Sequence, residues 1–227
     1  MIFRMRRIDC EFQKRFWDSE KRRRKPWHPA IEAFTKPKLA YISSFILSDN
    51  SGSRSSLLDI GCGNGYFSYY LEKSFDTVAL DFSYSMLKRN ISKMKLCGSA
   101  TELPFNNRSF DITFCSNLLH HLDDPDLAVS EMSRVSRKYV VISEPNRNNP
   151  LMFLFGLMKK EERGTLKFSL RYMKHLMERA GLELIDASQR GIVLPNKTPD
   201  LFLPVLRRLD GEYPFAFYNI IISKKTH

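Results

Sequence analysis

The sequence has no long hydrophobic run. Its longest apolar stretch, Leu151 to Met158, falls far short of the roughly 20 residues that a bilayer-spanning helix needs. No apolar segment follows the arginines of the opening Met-Ile-Phe-Arg-Met-Arg-Arg, so a secretory leader is not expected. Cysteine is scarce: Cys10, Cys62, Cys97 and Cys115, with no C-x-x-C pair. A disulfide framework is therefore not expected, and reduced thiols in a cytoplasmic protein are. No group of histidines, cysteines and acids has the spacing of a metal site, so no metal is expected. Acids are also in deficit, 25 against 36 lysines and arginines, which leaves a net charge of +11. That excess bears on partners and solubility, not on fold.

The positive charge gathers at the N-terminus. Arg4, Arg6, Arg7, Lys14, Arg15, Lys21, Arg22, Arg23, Arg24 and Lys25 face only four acids there. Such a run is either a solvated helix face or a contact for phosphates. Ile8, Phe12 and Phe16 recur every four residues with Trp17 beside the last, which predicts an amphipathic helix that Pro26 and Pro29 break. Lys38 to Leu47 reads as a second helix, and Asp49 to Ser56 as a loop.

Strands and helices then alternate. Ser56–Ile60, Thr77–Leu80, Lys95–Gly98, Phe110–Cys115 and Lys138–Ser143 read as five strands. Helices are expected over Tyr66–Lys73, from Ser83 as N-cap to Asn90, and from the Asp124-Pro125 start to Val135. Such alternation implies a parallel sheet with helices on both faces, wound by right-handed crossovers. After Pro145 the pattern loosens. Ser169 caps a helix that Gly181 ends, Leu182–Ala187 and Phe215–Ser223 read as further strands, and Gly191–Pro214 is irregular.

The segment that carries chemistry is Leu57-Leu58-Asp59-Ile60-Gly61-Cys62-Gly63-Asn64-Gly65-Tyr66. A strand that runs into glycines lets a ligand approach the backbone closely. The dinucleotide fingerprint G-x-G-x-x-G fails at Tyr66, and no Gly-Lys pair makes a P-loop. An acid, Asp59, stands two residues before the first glycine, where a phosphate would be repelled and a cationic ligand welcome. Asp81 ends the second strand, placed to accept two ribose hydroxyls.

Four stretches carry a resemblance. They are Leu58-Asp59-Ile60-Gly61-Cys62-Gly63-Asn64-Gly65; Ala79-Leu80-Asp81-Phe82-Ser83 with Met86; Ala100-Thr101-Glu102-Leu103-Pro104-Phe105 with Ser109-Phe110-Asp111; and Asn117-Leu118-Leu119-His120-His121-Leu122 with Glu131-Met132-Ser133-Arg134-Val135. Together they make Leu57 to Pro145 resemble the class I S-adenosylmethionine (SAM)-dependent methyltransferases, and among them the ubiquinone/menaquinone biosynthesis group. The resemblance implies a Rossmann-like, doubly wound, mixed seven-stranded sheet with an N-terminal helical extension. It implies SAM as cofactor and S-adenosylhomocysteine as product. Gly61, Cys62, Gly63 and Gly65 would line the methionine part and Asp59 its amino group. Asp81 would hold the ribose, with Phe82 and Met86 flanking the adenine. Ala100 and Thr101 would meet the adenine edge, while Ser116 and Asn117 would lie near the methyl group. The sequence departs from the group at Ser99, where an acid usually receives the adenine amino group.

The sulfonium already activates the methyl, so the protein's task is alignment, and a base is needed only for a protonated acceptor. His120 and His121 are the candidate bases, with His28 a more remote one. The helical extension, read as a lid, would span residues 1–48 and the methyltransferase domain 49–227. Insertions near 146–167 and 191–214 would shape the acceptor side. The expected acceptor is a small or lipid-like molecule. The alternatives are RNA, held by the basic N-terminus, and a SAM-binding protein without activity.

Overall fold

The computed structural model describes residues 10–20, 23–46 and 54–226. Arg4, Arg6, Arg7, Lys21 and Arg22 of the basic run lie outside them, as do Ile8 and most of the loop before Ser56.

Seven strands form one sheet: β1 (Ser56–Ile60), β2 (Asp76–Asp81), β3 (Lys95–Cys97), β4 (Phe110–Ser116), β5 (Ser136–Pro145), β6 (Leu182–Arg190) and β7 (Tyr218–Lys225). Their order is β3-β2-β1-β4-β5-β7-β6. The first five run parallel, and β7 lies antiparallel between β5 and β6. The sheet is thus mixed and doubly wound.

Alternation along the strands explains the two covered faces. Leu58, Ile60, Val140, Ile142 and Ile221 point to one side, where they meet α5 (Pro125–Val135) and α7 (Leu170–Arg179) through Ala128, Met132, Met173 and Leu176. Leu57, Phe114, Val141, Ile220 and Ile222 point to the other. There they meet α2 (Pro29–Ile46), through Ile31, Phe34, Ile42 and Ile46, and the single turn α3 (Ser68–Leu71).

Helix α2 starts nine residues before the sequence suggests and passes through Pro37. An interior proline costs a helix about 3 kcal/mol. Each of the four buried apolar side chains returns about 1.5–3 kcal/mol, so packing overrides the local signal. The helix after the glycines is shorter than expected, because residues 65–75 close mostly as turns, with Lys73 N bonded to Tyr70 O. The segment read as irregular, Gly191–Pro214, contains α8 (Leu203–Leu209), and the stretch after Pro145 contains α6 (Pro150–Met158), capped by the Asn149 side chain. Two more helices occur among the described residues, α1 (Cys10–Ser19) and α4 (Tyr84–Arg89), the latter capped by Ser83 as the sequence indicates. Among the described residues no helix is long and apolar enough to cross a membrane. Cys62, Cys97 and Cys115 are free thiols.

Candidate active site

Strand order reverses between β1 and β4, and ligands of open α/β sheets bind where it does. The loops leaving those two strands face each other there. The first is Gly61–Gly65. Gly61 N and Cys62 N both bond to Leu80 O, so the chain turns as soon as it leaves the sheet. Gly61 has φ +69° and a Cβ there would meet the Leu118 side chain at 2.7 Å, so a larger residue is strained in backbone and must displace Leu118. Gly65, at φ +88°, abuts the Asn90 amide in the same way. It does not line the cavity, unlike Gly61, Cys62 and Gly63; its place is in the turn.

The cavity has a volume of about 1010 Å³. Single small-molecule sites commonly occupy ~300–1,000 Å³, so this one has room for two molecules. Asp59 and Asp81 stand on its floor, 2% and 6% exposed. Ser68 Oγ donates to Asp59 Oδ2 at 2.5 Å. Asp81 accepts from Gly63 N at 2.7 Å and from Ser83 N at 2.8 Å, one bond to each oxygen. Two of the roughly four acceptor positions of an ionised carboxylate are therefore used.

Burial pushes the Asp59 carboxyl up to about 7; the Ser68 bond offsets this in part and the Asp81 charge adds to it. Burial also raises Asp81, against the Ser83 and Gly63 N–H groups. Asp59 holds its proton in the folded state at pH values where the unfolded chain has lost it. Its contribution to stability is complete below the ordinary value of 3.8 and is lost as pH rises through about 7. Asp59→Asn should therefore melt closer to wild type at about pH 5 and above it at about pH 8. Thermal scans at the two values check this, and a pH-independent difference would remove the linkage.

The other expected cofactor residues gather round the same cavity: Phe82, Met86, Ser99, Ala100, Thr101, Ser116 and Asn117. The Ser99 hydroxyl bonds to the Thr101 hydroxyl at 2.8 Å and accepts from Thr101 N. Asn117 sits at φ +53°, its N–H bonded to Ser143 O, which turns β4 sharply into the next loop.

His120 and His121 follow in a short 3-10 turn and also reach the cavity. His120 is fully buried. Its Nδ1 is 2.5 Å from Glu144 Oε2 and its Nε2 is 3.1 Å from Glu162 Oε2. Glu144 Oε1 accepts from Leu118 N and Leu119 N, each at 2.8 Å. Burial opposes charge on His120, but the Glu144 charge and the bonds to both glutamates outweigh it and lift the ring to about 9. His121 behaves in the opposite way: burial, then the neighbouring His120, hold it down to about 3. Its Nδ1 lies 3.0 Å from the Glu161 carbonyl, which only accepts, so the proton is on Nδ1. His28 does not line the cavity; it stands 3.5 Å from Asp200.

Spacing along the chain could not reveal two further participants. Glu144 is the last residue but one of β5, and Glu162 comes from the 3-10 segment Lys160–Lys167, 42 residues beyond His120. Helix α1, part of the extension read as a lid, also takes part. Trp17 packs edge-on against His121, with ring centroids 5.0 Å apart, and Arg23 lies over the Trp17 ring. Gln13 donates to Glu161 O, and Ser83 Oγ donates to Asp18 at 2.5 Å. The helix thus spans the cavity between its two halves. Arg24 bonds to the carbonyls of Pro195 and Thr198 and pairs with Asp200, so it turns inward rather than toward solvent.

Comparison with known proteins matches residues 58–142 to the methyltransferase domain family. An uncharacterized protein of Methanocaldococcus jannaschii is 43% identical over 68 residues, 30% of each chain. A demethylmenaquinone methyltransferase of Renibacterium salmoninarum is 39% identical over 88 residues, 36% of each chain. The chain thus spans about a third of the length of the curated relatives it matches. Among solved structures, a SAM-dependent methyltransferase from Thermotoga maritima superposes with a TM-score of 0.63 at 22% identity, over 83% of this chain and 90% of that one.

Proposed function

We propose that this chain, whose residues 58–142 match the methyltransferase domain family, is a class I SAM-dependent methyltransferase that binds SAM at the glycine turn and transfers its methyl group to a small or lipid-like acceptor. One observation carries the reading. Two buried carboxylates, Asp59 and Asp81, flank a glycine turn of positive φ on the floor of one cavity. That is a cradle for a cationic nucleoside and a poor one for a phosphate.

Gly61 and Gly63 let the methionine tail approach the backbone of the turn closely. Asp59 takes the ammonium, and a cation beside it favours its ionised form. Affinity for SAM should therefore rise between about pH 6 and 8 and lose that rise in Asp59→Asn. Asp81 offers its two remaining acceptor positions to the ribose hydroxyls. Phe82 and Met86 enclose the adenine, and the Ser99–Thr101 hydroxyl pair stands at its edge with Ala100. Ser116 and Asn117 border the space where the methyl would lie. SAM, when bound, supplies an activated methyl carbon. The residues around it align the acceptor and exclude water, and α1 over the cavity serves the second task. The raised His120 ring, bonded through both nitrogens, has no lone pair to offer as a base. His121 keeps one, on a weakly basic ring. The reaction accordingly rests on alignment, with proton transfer secondary.

Met152, Phe155 and Leu194 add apolar lining beside the polar groups of the cavity, which suits a lipid-like acceptor. The Renibacterium relative is named for a demethylmenaquinone, a molecule of that kind. An RNA acceptor is less favoured, since Arg23 and Arg24 of the basic run are engaged with Trp17 and the Pro195–Asp200 loop.

Incubation with methyl-labelled SAM and a fractionated cell extract tests the proposal. Label should enter an organic-soluble or small-molecule fraction. Label confined to RNA would reverse the choice of acceptor, and absence of calorimetric SAM binding would remove the function altogether.

A further inference from the structure

We propose that His120, His121 and Glu162 form a binding site for one divalent first-row metal ion at the acceptor end of the cavity. Each offers a ligand atom, and those atoms lie within 4.8 Å of one another. His120 Nε2 and Glu162 Oε2 are 3.1 Å apart. Two ligands about 2.1 Å from a common ion stand about 3.0–3.4 Å apart across an octahedral or tetrahedral edge, so that pair already has the span.

A second observation points the same way. Histidines that bind metal ordinarily give the other ring nitrogen to a carboxylate or a backbone carbonyl, which fixes the ring and its tautomer. Both arrangements occur here. His120 Nδ1 meets Glu144, and Glu144 is itself fixed by Leu118 N and Leu119 N. His121 Nδ1 meets the Glu161 carbonyl. His121 is thereby turned with Nε2 left for an ion, and on His120 the ion takes the place of the proton that Nε2 now shares with Glu162. Two imidazoles and one carboxylate are a neutral-nitrogen and oxygen donor set, suited to Zn²⁺, Co²⁺, Fe²⁺ or Mn²⁺ rather than to Ca²⁺. With three protein ligands, coordination stays incomplete on the cavity side. The sequence excluded a metal because spacing along the chain shows two of these residues and not the third.

An acceptor oxygen entering the cavity would complete the coordination and lose its proton more readily. That consequence rests on the methyl-transfer reading; metal binding itself does not. The test therefore uses untagged, chelator-treated full-length protein without SAM. Co²⁺ should produce visible d–d absorption that saturates at one ion per chain, and Zn²⁺ should displace it. Glu162→Gln, at the cavity margin, should weaken Co²⁺ binding by about ten-fold or more. His121→Ala should weaken it likewise, and takes the place of Glu162→Gln should melting show that variant unfolded. His175→Ala removes an exposed histidine paired with Glu178 and should leave the titration unchanged. No saturable absorption, or absorption that survives both cavity variants, or loss of it in His175→Ala, overturns the site. SAM calorimetry on the same preparation reports separately on the function proposed above.

Discussion

Asp81→Ala should raise the dissociation constant for SAM by about a hundred-fold or more. The size of the effect follows from the bonds at stake. Two hydroxyl bonds to a charged acceptor contribute about 1.5–3 kcal/mol each, and ~1.4 kcal/mol is a factor of ten. Even the lower figures give ~3 kcal/mol, a factor above one hundred. The substitution also frees Gly63 N and Ser83 N, which Asp81 now holds. Part of the loss is therefore loop disorder. Asp81→Asn separates the two effects, since its amide oxygen still accepts one of these N–H groups while the charge is gone. Calorimetry with SAM, alongside melting of both variants, provides the measurement. Unchanged affinity in Asp81→Ala would take the ribose away from this residue.

The second large effect concerns stability. Glu144→Ala should lower the melting temperature by about 10 °C. Glu144 is wholly buried and makes three bonds, to His120 Nδ1, Leu118 N and Leu119 N. Removing one partner of a buried ion pair commonly costs about 3–5 kcal/mol, because the other is left uncompensated. A chain of 150–250 residues loses about 2–4 °C per kcal/mol. Glu144→Gln, which keeps one acceptor oxygen, should lie between the alanine variant and wild type. Differential scanning calorimetry decides the matter. A Glu144→Ala melt within about 2 °C of wild type would mean that the turn after β4 is held by something else.

What the sequence disclosed, and what it hid, divides along the range of the interaction. The caps at Ser83, Asp124 and Ser169 each bond to a backbone N–H three residues on, and local sequence is enough to find them. Strand alternation is equally local, so both covered faces of the sheet were legible. The glycine turn was legible because glycines of positive φ cannot be replaced cheaply. Gly65 shows the limit of that signal, since its motif position suggested the cavity and its neighbour is Asn90. The path of α2 through Pro37 was hidden because tertiary burial, not propensity, decides it. The Glu144–His120–Glu162 array was hidden too. Its partners come from three separate segments, and only the fold brings them within bonding distance.

The placement of α1 has a consequence for traffic. Asp18 fastens the helix beside the nucleoside end, and Gln13 with Trp17 fastens it at the histidine end. A beam pinned at both ends cannot lift over one guest while staying shut over the other. On the proposed methyl-transfer reading, spent cofactor and methylated product leave past the same helix, once both of its contacts let go.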